Sequence, residues 1–167
     1  MRRPMLKFLL VDDNEGFHIT MKRYAAEKKI SLQCVTNGDD AFDKLKDQPY
    51  SYDAIILDFN CIYHRGEKAN RLFLGKFLDN LLNEKIHLPK AVLSGNPKAI
   101  EAQQFRTEKF FKKGEGEKQC LEYLVIQANK IEWTRTKEKY SKVIQIFDRH
   151  LDENHKEMFF DCIKNAK

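Results

Sequence analysis

The chain has 167 residues, 42% of them hydrophobic and 33% charged. Those proportions allow one well-cored domain with a modest appendage and exclude a disordered polymer. The formal net charge of +5 lies in the first part: residues 1–114 hold 20 basic and 15 acidic residues, and residues 115–167 hold 10 of each. A neutral C-terminal segment argues against a basic DNA-reading tail, so no nucleic-acid partner is expected.

The chain opens with an apolar stretch, Met5 to Val11, that reads as a first strand. It is too short for a signal peptide and runs into Asp12-Asp13 instead of a small-residue cleavage site. No run reaches membrane-spanning length, so no membrane partner is expected. A helix follows, with Phe17, Met21, Tyr24 and Ala25 on one face. Ile30 to Thr36 is a short strand ending in the turn signal Asn37-Gly38, and Asp39 or Asp40 is expected to cap the next helix, with Ala41, Phe42 and Leu45 inward and Gln48-Pro49 as its stop. Ala54 to Leu57 is a continuous apolar run that ends at a single acid, Asp58, as suits a strand buried on both faces.

An irregular loop from Phe59 to Gly66 leads to a helix from about Ala69 to Glu84, carrying Leu72, Phe73, Phe77, Leu78, Leu81 and Leu82. Lys90 to Leu93 is a fourth strand, ending at Ser94-Gly95-Asn96-Pro97. Pro97 suits the first turn of a short helix to about Phe105. Phe110-Phe111 makes a fifth strand, closed by Lys112-Lys113-Gly114. From Glu117 a helix carries Leu121, Leu124, Val125, Ala128 and Ile131. Five strands alternating with helices predict a doubly wound α/β fold, a five-stranded parallel sheet of flavodoxin-like type, over residues 1–131.

In such folds the site lies at the carboxyl ends of the strands. There the sequence places Asp12, Asp13, Asp58, Ser94 and Lys113: three carboxylates, a hydroxyl and an amine. Clustered carboxylates repel unless a cation holds them, and hard oxygen ligands in small number suit Mg²⁺, which bridges readily to phosphate. Asp58 can then act as a nucleophile on phosphorus, with Lys113 and Ser94 neutralising or donating to the phosphoryl oxygens. A dinucleotide enzyme is excluded, because Asp12-Asp13-Asn14-Glu15 supplies no glycine-rich turn after the first strand.

These residues resemble the response-regulator receiver domains of two-component signalling. The resemblance rests on Phe8 to Asn14, Thr36 to Ala41, Tyr52 to Asp58, Gly66, Ala91 to Gly95 and Phe110 to Lys113, and covers about residues 5–130. It implies that Asp58 is the phosphoacceptor and that Asp12, Asp13, Asp58 and the backbone carbonyl of Asn60 hold Mg²⁺. Ser94 resembles the switch hydroxyl, Phe110 the switch aromatic and Lys113 the phosphate-binding lysine. Lys112 competes for the last role, and Phe110 is equally readable as plain core.

Four departures stand out. Cys61-Ile62 replaces the family's Met-Pro, the third helix and its loops run longer than usual, the segment from Ser94 to Lys113 is short, and Gly114 stands where the family has proline. A haloacid-dehalogenase-like phosphatase also uses an aspartyl phosphate, but it needs an aspartate two residues after the nucleophile, where this chain has Asn60.

The implied partners are a histidine kinase or phosphotransfer protein upstream and another protein downstream, with a homodimer as one form of output. The protein would not be an enzyme beyond its own phosphorylation and slow dephosphorylation. A receiver-like scaffold that is never phosphorylated is the alternative. Four cysteines without a CxxC pair fit reduced thiols and a cytoplasmic location. His64 and Arg65 read as solvated loop residues, and His150 and His155 lack ligand spacing. Residues 132–167 read as a helical extension: a polar stretch from Trp133, an apolar stripe from Tyr140 to Leu151, then a last helix capped by Asp152. It packs back on the receiver, pairs with a second subunit or receives a partner.

Overall fold

The computed structural model describes residues 5–47, 51–96, 108–139 and 158. Residues Met5–Ala128 form one compact unit, and Asn129–Lys167 with Met1–Pro4 form a second. The expected stop at Gln48-Pro49, the short helix from Pro97 and the stripe from Tyr140 to Leu151 lie outside the described residues. So does the last expected helix, apart from Met158, which is helical and exposed.

Five strands, β1 (Lys7–Val11), β2 (Ser31–Val35), β3 (Ala54–Leu57), β4 (Lys90–Ser94) and β5 (Lys109–Lys112), form one sheet in the order β2-β1-β3-β4-β5. Every pairing is parallel. Besides the helical Met158, the helices among the described residues are α1 (Glu15–Glu27), α2 (Gly38–Asp47), α3 (Phe73–Asn83) and α4 (Glu117–Lys139). The doubly wound five-stranded sheet expected from the sequence is present.

Two cores follow from the two-residue period of the strands. Leu9, Val11, Ile55, Leu57, Val92 and Phe110 point to one face, against α2 and α3. Phe8, Leu10, Ala54, Ile56, Ala91 and Leu93 point to the other, where Met21 and Ala25 of α1 meet Cys120, Leu121 and Leu124 of α4. All four residues of β3 are sealed from solvent, each Ile or Leu among them contributing roughly 1.5–3 kcal/mol by burial. The central strands are therefore rigid posts, and their carboxyl ends are fixed points.

Two local expectations are corrected. The cap of α2 is Asn37: its Oδ1 accepts the Asp40 N–H at 2.8 Å, and its amide donates to Asp40 Oδ2 at 2.7 Å. Asp40 is the reciprocal partner three residues on, through the Asn37 side-chain amide instead of the main-chain N–H that a capping box uses. Gly38 is needed there because a Cβ would meet the Tyr63 carbonyl oxygen at 3.0 Å. The third helix starts at Phe73 instead of about Ala69, because Asn70 is spent on a turn, donating its N–H to the Cys61 carbonyl and accepting from Leu72 N–H. Of the apolar residues assigned to this helix, Leu72 and Leu82 are 68% and 63% exposed, while Phe73, Phe77, Leu78 and Leu81 are buried. No described helix is long and apolar enough to cross a membrane.

Candidate functional site at the carboxyl ends of the strands

The chain leaves β1 toward β2 on one side and returns to β3 on the other, so a crevice opens between the ends of β1 and β3. Asp12 and Asp13 follow β1, Asp58 follows β3, and Lys113 follows β5. Backbone hydrogen bonds from Asp12 N–H to the Val35 carbonyl and from Asp58 N–H to the Val11 carbonyl extend the ladders to the acids themselves. Their side chains therefore inherit the rigidity of the sheet.

Asp12 is fully buried and Asp58 is 8% exposed. The Lys113 ammonium, on a side chain 18% exposed, lies 2.5 Å from Asp12 Oδ2 and 2.9 Å from Asp58 Oδ2. Its contact with Asp58 is an aligned hydrogen bond. The approach to Asp12 is a charge contact without that alignment, so Asp12 Oδ2 is sealed from water yet has no aligned donor. Asp58 Oδ1 accepts the Phe59 N–H at 2.7 Å, and Asp12 Oδ1 accepts the Asn14 N–H at 2.9 Å. Both carboxylates are thus fixed by main-chain donors.

Burial pushes the Asp58 carboxyl above the ordinary range; the nearby Lys113 charge opposes this and Asp12 adds to it. For Lys113, burial works against the charge, but attraction to Asp58 and Asp12 outweighs it and the net shift is upward. The cluster is short of positive charge. One ammonium serves Asp12 and Asp58, and Asp12, Asp13 and Asp58 each bring a carboxylate oxygen within 4.8 Å of the others. Hard oxygen donors at that spacing, one of them buried without an aligned donor, fit a small divalent cation such as Mg²⁺. Asn60 is half-buried two residues beyond Asp58, and its side-chain oxygen is buried without a hydrogen-bond partner among the described residues.

The competing lysine separates cleanly. Lys112 points to solvent and pairs with Glu115 at 2.6 Å, while Lys113 turns into the crevice. Ser94 is buried at the end of β4, where its hydroxyl accepts the Asn96 N–H at 3.1 Å and its carbonyl accepts the Lys113 N–H. Phe110 is buried opposite Val92 within the α2–α3 core. His64 and Arg65 are exposed as expected, but they are paired: His64 Nδ1 lies 3.0 Å from Asp39, and Arg65 binds Asp40 and Asp43.

Two residues were not singled out for the site. The Phe17 ring lies beneath the Lys113 ammonium, 4.6 Å from nitrogen to ring centre. His18 Nε2 reaches the Asp12 carbonyl at 2.6 Å. Their signal in the sequence is position: both fall in the first turn of a helix that begins right after the acids, capped by Asn14 through the Phe17 N–H.

The chain is similar to solved receiver domains. A response-regulator receiver domain from Clostridium thermocellum is 16% identical, with 76% of this chain and 96% of that one covered and a TM-score of 0.58. The receiver domain of a Francisella response regulator is 19% identical over 75% and 98%, at 0.59. The BeF3-activated N-terminal receiver domain of Klebsiella pneumoniae RstA is 14% identical over 73% and 97%, at 0.57. No family model and no curated protein matches the chain. The described unit thus has the fold of response-regulator receiver domains.

Proposed function

We propose that this chain is the phosphoacceptor of a two-component relay, in which Asp58 takes a phosphoryl group from the phosphohistidine of a histidine kinase or phosphotransfer protein. The observation that carries this reading is the convergence of Asp12, Asp13, Asp58 and a two-handed Lys113 at the β1/β3 crevice. A carboxylate oxygen of Asp58 attacks phosphorus, the phosphorus–nitrogen bond breaks, and its electron pair returns to the imidazole, which takes up a proton. The Phe59 N–H keeps the carboxylate plane fixed during the approach. Lys113, already beside Asp58 Oδ2, offers its charge to the oxygens of the incoming group. The Ser94 hydroxyl, engaged only with a turn N–H, is free to exchange that bond for a phosphoryl oxygen. Asp12, Asp13, Asp58 and the Asn60 carbonyl would hold Mg²⁺, which supplies charge neutralisation to the transferring group.

The output of such a protein is protein–protein interaction in the cytoplasm, with no chemistry beyond its own phosphorylation and slow dephosphorylation. Residues 132–167 form the segment through which a partner or a second copy is engaged. Incubation with acetyl phosphate tests the reading: one phosphoryl group per chain is expected with Mg²⁺ and none with EDTA, by intact mass. A folded protein that stays unmodified in both would instead be a receiver-like scaffold.

A further inference from the structure

A strand that ends in a crevice leaves its last carbonyl looking for a donor. The Val11 carbonyl is taken by the Asp58 N–H, so the first carbonyl past β1 belongs to Asp12, and its donor is the His18 ring, with Nε2 at 2.6 Å and the side chain buried. A carbonyl oxygen carries no proton, so the ring must present one on Nε2. The Asp12 carbonyl and the Asp13 N–H share one rigid plane. Holding the carbonyl therefore orients the peptide from which Asp13 hangs. Asp12 is then fixed at both ends, its carboxylate by the Asn14 N–H and its main chain by His18.

The anchor is itself well founded. His18 lies on the first turn of α1, where Asn14 caps the helix and Met21 and Ala25 fasten the same face into the core. It also lines an open groove of about 730 Å³ between α1 and α2, beside Ile19, Lys22 and Cys34. A histidine in this wall costs more to bury than a leucine would. The bond to the Asp12 carbonyl offsets that cost.

We propose that His18 is a positioning residue of the acidic site, whose Nε2–H holds the Asp12–Asp13 peptide so that both carboxylates face a bound divalent cation. This rests on the reading of the acids as a Mg²⁺ site. His18 touches neither metal nor phosphoryl group; it acts through Asp12. Its bland role would be to satisfy a buried carbonyl, which would affect stability and leave metal affinity alone.

The test is calorimetric titration of the full chain with Mg²⁺ at a fixed alkaline pH, for wild type, Asp12→Asn, His18→Leu, His18→Gln and Ala25→Gly. His18→Leu removes the donor at similar volume, and the glutamine amide can restore it. Ala25→Gly loosens the same helix without touching Asp12. The expected result is a loss of about tenfold in Mg²⁺ affinity for His18→Leu, the range typical of outer-shell partners, with most of it recovered in His18→Gln and none lost in Ala25→Gly. In ¹⁵N spectra, Nε2 should carry the proton and shift when Mg²⁺ is added. Should His18→Leu fail to fold, His18→Gln and His18→Asn carry the test, because only the longer amide reaches Asp12; equal affinities would overturn the proposal. Wild-type affinity in His18→Leu, alongside loss in Asp12→Asn, would overturn the role of His18 and leave the metal site standing. Wild-type protein that binds no Mg²⁺, or binds it unchanged in Asp12→Asn, would overturn the metal reading and the role of His18 with it.

Discussion

The molecule contains two clusters of three aspartates, and they behave in opposite ways. At the strand ends Asp12 and Asp58 meet Lys113 in a buried crevice, with an Asp13 carboxylate oxygen within 4.8 Å of theirs. On the flank, Asp40 and Asp43 of α2 meet the Arg65 guanidinium while Asp39 takes the Arg65 main-chain N–H and the His64 ring, at side chains between 32% and 63% exposed. Burial drives Asp58 above the ordinary carboxylate range. Hydrogen bonds from Arg65, together with His64 for Asp39 and Asn37 for Asp40, hold Asp39 and Asp40 below it. The flank cluster is content as it stands and ties the loop to α2. The crevice cluster carries unrelieved negative charge, which is the condition for taking up a cation and for a carboxylate ready to react.

The largest separation between the two should appear in metal binding. Asp12→Asn with Asp13→Asn should weaken Mg²⁺ affinity on the order of a hundredfold, since two of three charged ligands are lost. The apo protein should melt no lower than wild type, because Asp58 no longer faces the Asp12 charge. The same double change at Asp39 and Asp40 should leave Mg²⁺ affinity alone. Equal losses at both places would erase the distinction.

Next in size is the stability effect of each cation. In the crevice, a raised Asp58 contributes stability below its ordinary value that is lost as pH rises through the folded one. Lys113→Met removes the attraction that limits this loss. The variant should therefore be less stable by about 3 kcal/mol near neutral pH, as for a broken buried pair, and should recover toward wild type as acid protonates Asp58. Chemical denaturation across the acid-to-neutral range reads this directly.

The smallest effect belongs to Arg65→Ala. Asp39 and Asp40 have lowered values, so their contribution is present above the ordinary carboxylate range and fades as pH falls through the lowered one. The drop in melting temperature at neutral pH should be slight and erased by salt, as for exposed pairs. A loss as large as that of Lys113→Met would refute the comparison.

Much of this is legible in the amino-acid sequence. The apolar run ending at Asp58 declared a strand buried on both faces, and the five-fold alternation of strand and helix set where strand ends must meet. The sequence left Lys112 and Lys113 in competition, because adjacent lysines at a strand end differ only in which way each turns; in the structure Lys112 pairs with Glu115 and Lys113 with Asp12 and Asp58. What escaped depends on three-dimensional neighbours. The Asn37 cap is hidden because Asn37-Gly38 is also a turn signal, and Leu72 and Leu82 fit the helical period without facing the core. Phe17 and His18 escaped because an aromatic and an imidazole on a helix look like core until the helix start is placed beside the acids.

The central claim is that Asp58 is where phosphorus lands. The protein, treated with acetyl phosphate and Mg²⁺ and then reduced with borohydride, should carry homoserine in place of aspartate at position 58, read by tandem mass spectrometry of its peptides. Asp58→Asn, folded and still able to bind Mg²⁺, should carry none. Homoserine at another acid, or equal phosphate incorporation by Asp58→Asn, would contradict the account.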